Sequence, residues 1–133
     1  MKIEIVKEKG LICDLDKKTA TLLAEKIFER INKKQQNYLI EVFLVSKEKI
    51  QKINHDFRQV DEETDTLSFP IRSFAPAKEN ILGTIFISPE IAKERGENCS
   101  SLLIHGILHL LGFDHEKNSK KWHSIEKKIE RSR

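Results

Sequence analysis

Little in this chain of 133 residues breaks it up or staples it together. Three prolines and five glycines are too few for a linker-rich or low-complexity protein. Two cysteines, Cys13 and Cys99, form no CxxC pair, which excludes a disulfide scaffold. They read as reduced structural thiols and make no metal motif by themselves. No apolar run approaches the roughly 20 residues of a membrane span, so no membrane partner is expected. The opening MKIEIVKEKG interleaves charge with apolar residues, unlike the apolar core of a secretory signal, and the expected compartment is the cytoplasm. A net charge of +3 is too mild to point to nucleic acid on its own, and nothing calls for DNA.

What is present suits one domain spanning residues 1–133. Hydrophobic residues make up 38% and charged residues 34%, a balance that permits a single buried core without wholesale disorder. Ile3 and Ile5 alternate with charges over Lys2 to Lys7, as in a half-buried strand. Asp14 or Asp16 can cap a helix running to about Lys33, with Leu23, Ile27 and Ile31 on one stripe. Tyr38 to Val45 is nearly continuously apolar and predicts a central strand covered on both faces. Ser46 caps a helix whose buried stripe is Ile50, Ile53 and Phe57, with Asn54 and Arg58 near its end. A polar loop leads into a short strand, TLSFP, closed by Pro70 and therefore suited to an edge. Gly83 to Ser88 is a further strand. No crossover helix fits between these two, so they are expected to pair antiparallel. Ser88-Pro89-Glu90 opens a short helix ending near Gly96. Another helix runs from about Ser100 to Leu111, and a last one from about Ser119 to Arg131 carries Trp122, Ile125 and Ile129 on one face. The order predicts an α/β (α+β) domain with a four-stranded mixed sheet and about five helices.

The chemistry concentrates in LLIHGILHLLGFDH, Leu102 to His115. On a helix His105 and His109 lie on one face, one turn apart. Gly112 can end that helix in a left-handed cap, which lets the chain turn and bring His115 towards the other two. Three neutral imidazoles with one coordination position open suit a catalytic zinc, one per chain. A buried imidazole needs partners for both nitrogens, and three in one apolar segment are hard to satisfy otherwise. The spacing is that of the long zinc-protease motif, but the glutamate base of that motif is replaced by Gly106. Imidazole ligation also suits nickel, copper and iron.

Around this centre the signals are weaker. Asp114 adjoins a histidine and suits either orienting an imidazole and taking a proton, or capping the turn after Gly112. Asp61 and Asp65 read as solvated loop residues, and His55 and His123 as surface histidines. Phe57 and Phe69 suit base stacking, with core packing the commoner use of such residues. Lysines and arginines crowd the C-terminal helix, either as a footprint for phosphates or as a solvated face.

Three segments resemble the YbeY family of bacterial endoribonucleases. They are HGILHLLGFDH at His105 to His115, INHDFRQVDEETDTLSFP at Ile53 to Pro70, and Leu82-Gly83 followed by an apolar strand. The resemblance implies a zinc-dependent endoribonuclease specific for single-stranded RNA. It also implies maturation of the 16S ribosomal RNA 3′ end, ribosome quality control, and the small ribosomal subunit as partner. By position it implies His105, His109 and His115 as metal ligands and Arg58 as the functional arginine, whose planar fork suits phosphate oxygens. The sequence departs from the family at Thr84, where an aspartate is usual, and at Lys121-Trp122, where an apolar pair is usual. The competing expectations are a zinc metalloprotease-like hydrolase, which Gly106 opposes, and a non-catalytic ribosome assembly factor with a structural zinc.

Overall fold

The computed structural model describes residues 1–31, 38–62, 64–71, 80–113 and 119–131. The strands are β1 (Lys2–Lys7), β2 (Leu39–Leu44), β3 (Thr66–Pro70) and β4 (Ile81–Ile87). The helices are α1 (Lys17–Arg30), α2 (Lys47–Arg58), α3 (Pro89–Glu94), α4 (Cys99–Leu110) and α5 (Ser119–Arg131). This is the expected order of elements, in one four-stranded sheet ordered β1-β2-β4-β3. β2 pairs in parallel with β1 and with β4, while β3 runs antiparallel to β4 at the sheet edge. The sheet is therefore mixed, and Pro70 closes an edge strand, where a missing N–H disrupts least.

The helix starts follow from local chemistry. Asp16 accepts a hydrogen bond from the Thr19 N–H at 2.7 Å, Ser46 from Lys49 at 3.2 Å, and Asn98 from Ser101 at 2.8 Å. Each satisfies one of the orphan donors of a first helical turn. Ser88 caps α3, and Pro89 follows at a position where the lost N–H costs nothing.

Strand periodicity sorts the core into two layers. Ile40, Val42, Leu44, Ile85 and Ile87 face the side covered by α1, α4 and α5, in one cluster with Ile27, Phe28, Ile104 and Ile107. Ile125 and Ile129 dock α5 there, as their spacing predicts. On the opposite face Phe86, Leu67 and Phe69 pack with Ile50 and Ile53 of α2 and Ile91 of α3. Cys13 and Cys99, which the sequence presents as two separate thiols, meet on the α1 and α4 side: their sulfurs are 3.4 Å apart, joining the segment before α1 to the start of α4.

No described helix is long and apolar enough to cross a membrane.

Candidate active-site cleft

α4 is so apolar that between Leu102 and Leu110 only His105 and His109 are not fully buried. With Ser101 they form a stripe at intervals of four, the one face of the helix that opens outward. The two imidazole centroids are 4.9 Å apart with ring planes at 63°.

The helix ends as its glycine predicts. Gly112 has φ +89°, its N–H donates to His109 O at 3.0 Å, and the Phe113 N–H reaches back to Leu108 O at 3.0 Å. These two bonds make a Schellman motif, which reverses the chain directly after the histidine pair. His115 and Asp114 lie outside the described residues.

Gly106 stands where a protease would carry its base. A Cβ there would sit 2.9 Å from Ile85 Cγ2, closer than real carbon atoms approach. The position points into the sheet, away from the histidine stripe, so packing leaves no room for a glutamate at 106.

His105 opens into a cleft of about 360 Å³ between α4, α5 and the start of β3. Three of its wall residues were read from sequence as surface groups or not singled out. Asp65, read as a solvated loop residue, lines the wall with its side chain only 17% exposed and ion-paired to Arg95 at 3.7 Å. His123 also lines it, 3.8 Å from Glu126, which shares the wall. Neither could be linked to His105 by spacing, because β3 and α5 reach the cleft only through the tertiary fold. His55 is the exposed histidine it was taken for, 3.2 Å from Asp56.

Thr66 forms part of the same wall, and its Oγ1 is buried without a hydrogen-bond partner among the described residues. Buried hydroxyls are rarely left unpaired in a folded protein. The described donor set fits a metal as far as it goes: two adjacent imidazoles on one helix face, open on one side. Among the described residues no group of three or more His, Cys, Asp or Glu is gathered closely enough to hold an ion.

Arg58 ends α2 and does not line this cleft. Its Nη2 donates to Ser68 O on β3 at 3.3 Å, and its guanidinium carbon lies 5.7 Å from the centre of the Phe69 ring. Ser68 is two residues along β3 from Thr66, so Arg58 flanks the cleft across the edge strand. Asn54, 6% exposed, donates to Glu62 O at 3.1 Å and ties the acidic loop back onto α2. Phe69 is core at 8% exposure, whereas Phe57 is 43% exposed.

Thr84, where the sequence resemblance implies an aspartate, is fully buried, and its hydroxyl donates to Glu41 Oε1 at 2.8 Å. Glu41 is its direct register partner on β2. A carboxylate on β2 thus stands directly beside the Thr84 hydroxyl.

A mixed sheet between two helical layers, with a helix-borne histidine pair of which His105 opens into a polar cleft, defines an α/β domain with one candidate imidazole site. The family model described as endoribonuclease YbeY matches residues 4–132. A Sulfurovum endoribonuclease YbeY is 34% identical over 131 residues, covering 89% of this chain and 88% of the relative. One from Persephonella marina is 40% identical over 116 residues, covering 80% and 74%. The solution structure of a Thermotoga maritima protein superposes with a TM-score of 0.57 at 35% identity, covering 96% of this chain and 85% of that one. The chain belongs to the endoribonuclease YbeY family.

Proposed function

We propose that the chain is a zinc-dependent endoribonuclease that cleaves single-stranded RNA, and that it acts in 16S ribosomal RNA 3′-end maturation and ribosome quality control on the small subunit. The observation that carries the reading is the outward stripe of His105 and His109 on an otherwise buried helix, in a chain of this family.

In this reading His105, His109 and His115 hold the ion. When bound, zinc supplies a Lewis acid for the phosphodiester and lowers the pKa of water at its open position. Arg58 places a fixed positive charge and a planar fork against phosphate oxygens as the strand crosses β3. Its bond to Ser68 O restrains the guanidinium, so less freedom is lost on binding. Asp114, next to a ligand, orients that imidazole or receives a proton. Position 106 contributes nothing to proton transfer, whether the attacking group is water or the substrate's own 2′-OH.

The deciding experiment pairs a single-stranded RNA with its duplex form, using wild type, His109→Ala and a chelated sample, with metal content measured on the same preparations. The expected result is cleavage of the single strand alone, lost together with the metal. Full zinc content without cleavage of either RNA would overturn the nuclease reading and leave a structural zinc in an assembly factor.

A further inference from the structure

The sheet face opposite the histidines carries a second recess. Between α2 and the sheet lies a groove of about 330 Å³. Its floor is aromatic: Phe43 and Phe86 stack at 5.1 Å between centroids, with planes 19° apart. Phe57 forms one side and leaves 43% of its surface to solvent. Lys49 and Lys52, three apart on α2 and exposed, stand on the lip with Asp56. An apolar floor alone does not say what covers it. Two cations against one carboxylate on the lip favour an anionic guest, and flat rings below favour one with flat faces. Stacking rings beside lysines are how single-stranded nucleic acid is held without regard to sequence.

The groove and the cleft lie on opposite faces of the sheet, and the edge strand β3 runs between them. Phe69 meets Phe86 edge-on at 5.9 Å and Phe57 edge-on at 5.9 Å. Arg58 lies over Phe69 and bonds the β3 backbone, and Thr66 at the other end of that stretch lines the His105 cleft. Thr66 to Phe69 is a step of about 10 Å along a strand. A strand that wraps the sheet edge at β3 passes Arg58 on its way from one recess to the other.

We propose that this groove is a second contact site for single-stranded RNA, in which an unpaired base stacks on Phe57 over the Phe43–Phe86 floor while neighbouring phosphates lie along Lys49 and Lys52. The proposal rests on the endoribonuclease reading and adds the path of the substrate beyond the cleft. It makes binding depend on RNA length: a short oligonucleotide fills the cleft alone, and a longer one also fills the groove.

The test measures affinity of the full chain for short and long fluorescent oligoribonucleotides in chelator, where nothing is cut, and then kinetics with metal restored. Phe57→Ala is expected to weaken binding of the long strand about tenfold and leave the short one unchanged. Phe57→Trp, which keeps a stacking face, is expected to restore the affinity. The Lys49→Ala, Lys52→Ala double variant should lower the slope of log affinity against log salt by about 1.4, as for two lost phosphate contacts. With metal, both variants should raise KM for the long RNA and hold kcat. Long-strand affinity and KM equal to wild type in both variants would overturn the groove proposal, even if wild type cleaves. Length-dependent binding lost in Phe57→Ala, with no cleavage by wild type, would support the groove and count against the nuclease reading. An α2 surface that instead takes up a ribosomal protein, with RNA affinity unaltered by the same variants, would also overturn it.

Discussion

Gly106 and Ile85 share one packing space: a side-chain carbon added to the glycine would come within 2.9 Å of both Cδ1 and Cγ2 of the isoleucine. The histidine-bearing helix α4 lies against β4 at glycine distance, and this closeness sets the height at which His105 and His109 stand above the sheet.

Gly106→Ala is therefore expected to destabilise the protein by about 1–3 kcal/mol, the range for overpacking a well-filled core. Gly106→Glu should not fold stably, because it adds a buried, unpaired charge to the clash. Adding a base at this position creates no peptidase. Chemical denaturation of both variants checks this, with Ile85→Val in the Gly106→Ala background as a partial rescue.

Arg58→Ala is expected to keep fold and metal content while cleavage falls about 100-fold, the scale for losing one donor to developing charge. Arg58→Lys should recover only part of this, since an ammonium has no fork to engage phosphate oxygens in pairs. Steady-state rates alongside metal analysis and thermal melting check it; equal rates for wild type and Arg58→Ala would remove Arg58 from the mechanism.

Thr84→Val removes the hydroxyl that donates to Glu41 at 2.8 Å and leaves the volume nearly unchanged. Depriving a buried carboxylate of one donor should cost about 1–3 kcal/mol. The double change Glu41→Gln with Thr84→Val should cost less than the sum of the single changes, because the two groups answer one another. Urea titration of the four proteins measures the coupling.

Burial, reinforced by the Cys13 contact, pushes the Cys99 thiol from 9.0 up to about 12. In the unfolded chain the same thiol ionises near its ordinary value. The stability it contributes is complete below pH 9 and drains away as pH rises towards 12, because only the unfolded state releases the proton. Denaturation midpoints of wild type should fall more steeply over that window than those of Cys99→Ala. At neutral pH, alkylation should label half-buried Cys13 well before Cys99.

Much of this architecture is legible before any coordinates. Ser46, Asp16 and Ser88 announce helix starts because capping depends on residues three positions away. Gly112 announces a stop for the same reason, and the histidine pair needs only one helical turn. What stays hidden is what the sheet brings together from afar. Glu41 and Thr84 are 43 residues apart, and Cys13 and Cys99 are 86 apart. Asp65 and His123 reach the cleft from the turn before β3 and from α5, so their spacing from His105 carries no signal. Phe57 and Phe69 look alike in sequence, and only the sheet edge separates the exposed ring from the buried one.

The strand order has a consequence for how the molecule assembles. β2 sits at the middle of the sheet, yet its second neighbour, β4, is made only after α2 and β3. Until then a strand meant to be covered on both sides has one bare hydrogen-bonding edge, and closing it demands a long-range pairing of the slow-folding kind. The histidine pair needs no such pairing, since it belongs to a single helical turn. In chain order α4 follows β3 and β4, so the histidine turn emerges after the strands it packs on, and α5 is the last wall of the cleft to arrive.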